Sequence, residues 1–214
     1  MKILYSTVDA IDFMNDMIDK PEAIITSLPD KSELIDYQGY DTYEELFSAF
    51  AGSCFDNIAP KGYVFFIQTD KKEFGLIDKP YLIGHQAYTR GFRMMFHKIA
   101  LIREMGKKDL RKPTYTHLLC YSKGTTPGLC TPDVLPRGKV FYKHGAGIDT
   151  LRVCLEFIKH KKIRSFVDPF AGLGSIIYPA IDMGCFNNCY LNDISSELID
   201  RVRKCPILMK IIKD

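Results

Sequence analysis

The 214-residue sequence predicts an α/β fold in which a mostly parallel sheet lies between helices. Short apolar runs that end in turn residues alternate with stretches whose apolar residues recur every three or four positions. Apolar residues make up 46% of the chain, which is enough to build one hydrophobic core at this length. We therefore expect a single domain spanning residues 1–214, and intrinsic disorder is disfavoured.

The first half of the chain contains two clear strand patterns and one clear helix pattern. Residues 23–26 and 63–68 are short apolar runs typical of buried strands. Residues 43–54 have apolar side chains at helical spacing, and Asp41 or Thr42 can cap the start of this helix. Further elements come after these: a helix with a basic face at 88–104, a strand at 115–122, and a loop at 124–138 that holds three prolines and three glycines.

The second half predicts a strand–helix–strand unit of about 30 residues, the size of a βαβ unit. A helix precedes this unit and another helix follows it. The predicted elements are a helix at 150–161, a strand at 165–167, a helix at 175–183, a strand at 189–191 and a helix at 196–204. Residues 206–213 are ambiguous, because a short apolar run fits either a strand or a helical turn.

Positive charge is concentrated in the middle of the chain, although the total is only +3. Residues 1–85 carry seven basic and 15 acidic side chains, a net of −8. Residues 86–164 carry 17 basic and five acidic side chains, a net of +12, and residues 165–214 have a net of −1. A cationic block between acidic and near-neutral blocks indicates a polyanionic partner.

Targeting and membrane segments are not expected from the sequence. Acidic residues at positions 9, 12 and 16 interrupt the N-terminal stretch, which therefore fits neither a signal peptide nor a transit peptide. No apolar run approaches the roughly 20 residues of a membrane helix. Seven cysteines without a secretory signal indicate reduced thiols, so we expect an intracellular protein, cytoplasmic or nuclear, with no membrane partner.

No metal site is expected, and a serine hydrolase is disfavoured. Cys185 and Cys189 have no second pair nearby, and His117, Cys120 and Cys130 lack the spacing of a four-ligand zinc site. A Gly-x-Ser-x-Gly nucleophile elbow is absent from the sequence.

The segment after the strand at 165–167 has the features of a ligand-binding loop. Gly172 and Gly174 lie directly between a strand and a helix, where glycines let the backbone turn tightly and approach a ligand. The first strand ends at Asp168, and the next strand ends at Asp193, 25 residues later. Because the carboxyl ends of neighbouring parallel strands lie side by side, Asp193 can accept hydrogen bonds from ribose hydroxyls.

Residues 166–175, Phe-Val-Asp-Pro-Phe-Ala-Gly-Leu-Gly-Ser, resemble the first motif of the S-adenosylmethionine-dependent methyltransferases. They have the Asp-Pro-Phe-x-Gly-x-Gly form common among amino-methyltransferases of nucleic acids. The resemblance implies a Rossmann-like methyltransferase fold with S-adenosylmethionine as the cofactor. It also implies that residues 168–174 hold the methionine end and that Asp193 holds the ribose. The implied cofactor-binding residues are Asp168, Pro169, Phe170, Ala171, Gly172, Gly174, Ser175 and Asp193.

Two other interpretations of this loop stay open. A nicotinamide-binding Rossmann unit would also have an acidic residue about 20 positions on, but Ile177 stands where its third glycine would be. The two glycines can also form a structural turn that binds no ligand.

Residues 27–30, Ser-Leu-Pro-Asp, resemble a divergent form of the acceptor motif of the same enzymes, Asp/Asn/Ser-Pro-Pro-aromatic. The lone pair of an exocyclic base nitrogen is delocalised into the ring. Oxygen atoms must therefore accept hydrogen bonds from its N–H groups to make that lone pair available. The nitrogen must then lie in line with the methyl group, about 3 Å away. The resemblance implies that Ser27 supplies one oxygen and the carbonyl of Leu28 or Pro29 another. Asp30 would take up the released proton.

This motif departs from the family pattern at two positions. Leu28 replaces the first proline, and Asp30 replaces the aromatic residue that would stack on a flipped base. Stacking would then come from Tyr37, Tyr40 or Phe92. Alternatively, residues 27–30 are only a turn that ends the strand, with Asp30 capping the next element.

The order of the two motifs matches the circularly permuted, beta-class order of DNA and RNA amino-methyltransferases, in which the acceptor strand precedes the cofactor strand. In that class a segment rich in Lys, His, Gly or Pro comes before the cofactor strand and closes over the methionine. Residues 143–152 have that place, although the usual Lys-Pro pair is absent. The resemblance thus adds Gly147 and Asp149 to the cofactor site. It covers nearly the whole chain, with the acceptor motif near 22–30, a basic insert at 86–125 and a cofactor-binding half at 140–200.

The basic insert has nine basic and two acidic side chains, with aromatic residues between them. Basic side chains neutralise phosphates and aromatic rings stack on unpaired bases, which suits single-stranded or distorted nucleic acid. Residues 107–112 are expected to form an exposed loop. An ordinary solvated surface is the alternative. The predicted substrate-binding residues are Arg90, Arg93, Lys107, Lys108, Arg111 and Lys112.

The sequence therefore predicts an enzyme that transfers a methyl group from S-adenosylmethionine to an amino nitrogen of RNA or DNA. Since the chain has no room for a large target-recognition domain, sequence recognition would need a partner subunit, a guide structure or a small loop. One alternative is an inactive subunit that binds nucleic acid for a catalytic partner. Another is a methyltransferase for a protein or small-molecule amine.

Overall fold

The computed structural model describes residues 1–34, 39–72, 75–110, 112–124, 130–142 and 145–205. The strands are β1 (Lys2–Ser6), β2 (Ala23–Thr26), β3 (Tyr63–Gln68), β4 (Lys71–Lys72), β5 (Leu76–Ile77), β6 (Arg93–Leu101), β7 (Tyr115–Ser122), β8 (Val134–Pro136), β9 (Ser165–Asp168) and β10 (Asn188–Asn192). The helices are α1 (Ala10–Asn15), α2 (Tyr43–Asp56), α3 (Lys79–Thr89), α4 (Ile148–His160), α5 (Ile177–Met183) and α6 (Ser196–Arg203), with a short 3-10 turn at Lys31–Glu33.

Eight strands form one sheet in the order β1-β10-β9-β2-β3-β7-β6-β8, and β4 and β5 form a separate two-stranded hairpin. Only β7 runs antiparallel to its neighbours, β3 and β6, so the predicted mostly parallel sheet is confirmed. The two motif-bearing strands, β2 and β9, are neighbours at the centre of the sheet although about 140 residues separate them.

Helices cover both faces of the sheet because the central strands alternate their side chains between two apolar layers. Ile25 and Phe65 pack with residues of α4, α5 and α6 on one face. Ile24 and Phe66 pack with residues of α1, α2 and α3 on the other. This is the period-two pattern of a strand buried on both sides, and it explains why β2 and β3 are continuous apolar runs in the sequence.

Most of the predicted elements are confirmed to within a few residues. The Oγ1 of Thr42 accepts a hydrogen bond from the backbone N of Glu45 at 3.2 Å, which makes Thr42 the N-cap of α2. None of the seven cysteines forms a disulfide bond. Among the described residues, no helix is long and apolar enough to span a membrane.

The predicted helix at residues 88–104 is wrong. The helix α3 ends at Thr89, Gly91 adopts a left-handed conformation with φ of 75°, and β6 comes next. The strand β6 pairs with β7 from Arg93 to Leu101, with an irregularity between Met94 and Phe96, and its last three residues also pair with β8. Backbone pairing in the sheet therefore outweighs the local helical spacing. Lys98, assigned to a basic helix face, is buried and binds the carboxylate of Asp133.

Several other elements also differ from expectation, and β4, β5 and α3 lie where the sequence predicts no element. The predicted loop at 124–138 contains β8, a short edge strand that ends at Pro136, where a missing N–H is tolerated. The elements β1 and α1 were also not predicted, because β1 has only a three-residue apolar run and acidic residues interrupt the apolar pattern of α1. Residues 206–213 lie outside the described residues.

Candidate active site

A cavity of about 420 Å³ lies at the carboxyl ends of β2, β9 and β10, where loops leave the sheet. This is the edge at which doubly wound sheets bind their ligands. The lining includes residues 25–29, 33–34, 168–173, 175–176 and 193–195, with residues 9–10, Tyr142 and residues 145–146 from neighbouring segments. Both sequence motifs therefore border the same cavity.

A buried hydrogen bond joins the two motif strands at the base of this cavity. The Oγ1 of Thr26 donates to the Oδ1 of Asp168 at 2.8 Å, and the backbone N of Phe170 donates to the same oxygen at 3.2 Å. Burial raises the pKa of Asp168 to about 7, while these two hydrogen bonds act in the opposite direction and the charge of Asp193 adds to the rise. Asp168 is therefore a carboxyl group whose charge responds to a ligand that binds beside it.

The glycine-containing loop after β9 is fixed to the end of β10 through Asp193. The backbone N of Gly172 donates to Asp193 Oδ2 at 2.9 Å, and the backbone N of Ser195 donates to Oδ1 at 2.9 Å. Gly172 and Gly174 both have positive φ, 53° and 66°, which favours glycine. A Cβ on Gly172 would meet nothing within 4 Å, whereas one on Gly174 would lie 2.9 Å from Ile177. Gly172 thus faces open space, and Gly174 allows close packing.

The predicted cofactor residues fall into two groups. Seven of the eight from the first motif region line the cavity, namely Asp168, Pro169, Phe170, Ala171, Gly172, Ser175 and Asp193. Gly147 and Asp149 do not line it. A Cβ on Gly147 would lie 2.0 Å from the carbonyl oxygen of Arg137, and Asp149 packs against Gly138. From this segment, Tyr142, Gly145 and Ala146 border the cavity instead. Lys143 and His144 lie outside the described residues.

The acceptor segment, which we define as residues 27–34, presents one side to the cavity and is tied to the protein on the other. Ser27 is exposed and lines the cavity, whereas Leu28 is buried. The carbonyl oxygen of Leu28 accepts a hydrogen bond from Gln68 Nε2 at 3.4 Å, and that of Pro29 accepts one from the Tyr43 hydroxyl at 3.0 Å. Each carbonyl oxygen keeps a second lone pair for a ligand.

Asp30 lies outside the cavity lining and pairs with the buried ammonium group of Lys79. It also begins the adjoining 3-10 turn, since the backbone N of Glu33 donates to the Asp30 carbonyl oxygen at 2.8 Å. The turn interpretation of residues 27–30 is therefore compatible with the geometry, and the acceptor role stays a prediction. Of the three stacking candidates, Phe92 is buried against Phe55, Tyr40 is exposed, and Tyr37 lies outside the described residues.

Sequence reasoning missed several residues that line the cavity. Asp9 caps α1, with its Oδ1 accepting from the backbone N of Ile11 at 2.8 Å, and it lines the cavity with Tyr142 and Ile194. Asn192, the last residue of β10, connects this strand to the turn between β1 and α1. Its side chain accepts a hydrogen bond from the N–H of Val8 and donates one to the Val8 carbonyl. The available signal was an acidic residue soon after the apolar run of residues 3–5, but recognising it required knowing that β1 lies beside β10.

The predicted substrate-binding residues lie at two different edges of the sheet. Arg93 begins β6 in register with Ser122, which places it at the edge opposite the cavity. Arg90 binds both carboxylate oxygens of Asp56, with its Nε 2.8 Å from Oδ1, and so holds α3 against α2. Lys107, Lys108 and Lys112 are exposed in the loop between β6 and β7, at the cavity edge. Arg111 lies outside the described residues.

Three solved structures share this fold over nearly the whole chain. TTHA0409 of Thermus thermophilus, assigned as a DNA modification methylase and solved with S-adenosyl-L-methionine, has a TM-score of 0.69 and 12% identity over 99% of this chain and 94% of that chain. The cytosine-N4-specific PvuII DNA methyltransferase has a TM-score of 0.68 and 12% identity, over 100% of this chain and 91% of that chain. The M1.HpyAVI–SAM complex has a TM-score of 0.59 and 14% identity, over 95% of this chain and 99% of that chain.

The chain therefore has the α/β fold of these methyltransferases, in agreement with the fold that its sequence predicts. At the level of sequence, no family model and no curated protein matches it.

Proposed function

We propose that this protein is an S-adenosylmethionine-dependent methyltransferase that acts on an amino nitrogen of DNA. The observation that carries the proposal is the Thr26–Asp168 hydrogen bond, which brings the acceptor segment and the glycine-containing loop to one cavity. Structures of the same fold include S-adenosylmethionine complexes and an N4-specific cytosine methyltransferase, which supports this assignment.

The charge of the cavity suits this cofactor. Its described lining contains four carboxylates, from Asp9, Glu33, Asp168 and Asp193, and no lysine, arginine or histidine. S-adenosylmethionine carries a sulfonium and an ammonium cation, which such a lining attracts. Asp168 and the Gly172 backbone would hold its methionine end, and Asp193 its ribose. A volume of about 420 Å³ lies within the usual range for small-molecule sites.

S-adenosylmethionine supplies a methyl carbon bonded to a cationic sulfur. In the proposed reaction the acceptor nitrogen forms a bond to this carbon, the electron pair of the broken carbon–sulfur bond stays on sulfur, and the nitrogen releases one proton. The hydroxyl oxygen of Ser27 would accept a hydrogen bond from one N–H group of the substrate amine. The free lone pair on the Leu28 or Pro29 carbonyl would accept another.

DNA is the proposed substrate because the structural neighbours are named as DNA methyltransferases and exposed lysines lie at the cavity edge. Those lysines, at positions 107, 108 and 112, would bind phosphates next to the cavity. Target recognition would come from this loop or from a partner subunit. The protein would then act in the compartment that contains the genome, where its cysteines, which form no disulfide bond, stay reduced.

A second candidate is a subunit that binds cofactor and DNA without transferring a methyl group. The Lys79–Asp30 pair favours it, because the carboxylate that the sequence predicts as the proton acceptor is held by Lys79 and lies outside the cavity lining. Under this candidate the cavity would still bind the cofactor.

Calorimetry and a methyl-transfer assay test these candidates. We expect S-adenosylmethionine and its demethylated product to bind at micromolar concentration, and a tritiated methyl group to appear in unmethylated DNA. If neither compound binds at millimolar concentration, both candidates are wrong. Cofactor binding without transfer to DNA would leave the second candidate. Transfer to RNA, protein or a small amine in parallel reactions would correct the substrate class.

A further inference from the structure

Three side chains hold the acceptor segment from the side away from the cavity. Gln68 and Tyr43 donate hydrogen bonds to successive carbonyl groups of the segment, and Lys79 pairs with Asp30. The fixed position of Asp30 differs from what the sequence predicts for a proton acceptor, which would face the substrate.

Lys79 is a rigid anchor for Asp30. Its side chain is 1% exposed, and its ammonium group lies 5.5 Å from the centre of the Phe47 ring. Its backbone N donates to Asp70 Oδ1 at 3.2 Å, and the Oδ2 of Asp70 is 2.8 Å from His117 Nε2. A buried ammonium group without a counter-charge is costly, so Asp30 is retained at its side.

Glu33 is the carboxylate of the acceptor segment that borders the cavity, together with Ser27, Pro29 and Leu34. Its Oε2 accepts a hydrogen bond from the backbone N of Asp30 at 2.7 Å, which fixes the side chain relative to the segment. A carboxylate has two oxygens with about four acceptor positions, so Glu33 keeps capacity for a ligand N–H.

We propose that Glu33 accepts a hydrogen bond from the second N–H of the acceptor amine, beside Ser27 and in place of Asp30 or a backbone carbonyl of the segment. Lys79 and Asp30 are then a positioning pair that holds the segment in place. This rests on the proposed methyltransferase function. As the nitrogen–carbon bond forms and the carbon–sulfur bond breaks, the nitrogen becomes positively charged and its proton passes to the Glu33 carboxylate. The net products are a methylated amine, a neutral thioether and a protonated Glu33, which returns the proton to water.

Three substitutions separate these roles in the full-length protein. Glu33→Gln keeps an oxygen for the Asp30 N–H but removes the charge that receives the proton. Asp30→Asn and Lys79→Met each break the ion pair, and the first of these changes a half-exposed side chain, which limits its effect on folding. The matched control is Lys98→Met, because Lys98 is also buried, 5% exposed, and pairs with the exposed Asp133 away from the cavity.

The measurements are single-turnover methyl transfer to DNA, cofactor affinity by calorimetry, and hydrogen exchange of the backbone amides of residues 28 and 30–34. We expect Glu33→Gln to slow transfer by about 100-fold or more, with cofactor affinity within about threefold and unchanged exchange. Asp30→Asn and Lys79→Met should each slow transfer by about tenfold and speed exchange, and the double variant should be no slower than either single one. Lys98→Met should leave exchange of the segment unchanged.

Three results would overturn this proposal. The first is a Glu33→Gln variant that transfers the methyl group at the wild-type rate. The second is an Asp30→Asn variant slower than Glu33→Gln with unchanged hydrogen exchange, since Asp30 would then act on the substrate itself. The third is a Lys79→Met variant that keeps the wild-type rate and hydrogen exchange. If the wild-type protein binds cofactor but transfers no methyl group, the methyltransferase function and the role of Glu33 both fail. Exchange in the Lys79 and Asp30 variants would still decide whether this pair holds the segment.

Discussion

At the scale of single residues, the burial of Asp168 has a consequence for stability that does not depend on any ligand. Its pKa is raised from 3.8 to about 7, so between these pH values the folded protein holds a proton that the unfolded chain has released. The resulting contribution to stability is complete below about pH 4 and is lost as the pH rises through 7. Above pH 7 the fold carries a buried carboxylate held by Thr26 and Phe170.

Asp168→Asn should remove this dependence, because the amide keeps an oxygen for both donors but does not ionise. Between pH 5 and pH 8 the wild-type protein should lose about 2–3 kcal/mol of unfolding free energy relative to the variant. Urea unfolding at the two pH values measures the difference. The control is Asp182→Asn, an exposed carboxylate paired with Arg152. Parallel pH dependence in wild type and Asp168→Asn would show that the group ionises normally.

At the scale of elements, the junction between β2 and β9 joins the two halves of the cavity. The two strands share one register pair, Ile24 with Val167, and beyond it the side-chain hydrogen bond of Thr26 continues the connection. A hydrogen bond to a carboxyl group buried at such a junction contributes more than one at the surface.

Thr26→Val should therefore destabilise the protein by about 1–3 kcal/mol, because it leaves Asp168 without its hydroxyl donor at nearly unchanged side-chain volume. Thr26→Ser keeps the hydroxyl group and should lower the free energy of unfolding by less than Thr26→Val does. Urea unfolding of both variants at pH 8 tests this. If the valine variant is as stable as the serine variant, the hydroxyl group makes no net contribution at this junction.

The same elements show which features the sequence could predict. The glycine-containing loop was recognisable because its glycines, Asp168 and Asp193 come after strands whose apolar pattern is local. The strand β6 was mistaken for a helix because its conformation depends on β7, which pairs with it from Arg93 to Leu101, and on β8, which pairs with its last three residues. The pairing of Asp30 with Lys79 could not be foreseen, since 49 positions separate the two residues.

At the scale of the whole molecule, folding separates charges that the sequence only places in blocks. The described cavity lining is acidic, while Lys107 and Lys108 are exposed on a loop at the same edge of the sheet. Arg90 and Arg93 come from the same basic block, but one holds two helices together and the other lies at the far edge. Of the predicted substrate-binding residues that the structure describes, those at the cavity edge lie in the loop between β6 and β7, so we expect phosphates to bind there.

The double substitution of Lys107 and Lys108 by alanine tests this surface against a matched pair elsewhere. Lys61 precedes β3 and Lys159 lies in the last turn of α4, so both are exposed at the edge opposite the cavity. The slope of log affinity for DNA against log salt is negative. If the loop lysines bind phosphates, their removal should reduce the magnitude of this slope by about 1.8, or about 0.9 for each phosphate that is no longer neutralised. The Lys61 and Lys159 double variant should change the slope little, and neither variant should alter cofactor affinity, because the described cavity lining contains no lysine. Equal reductions of this magnitude in the two double variants would mean that DNA is attracted by total charge alone, and the loop would then have no particular role in placing the substrate.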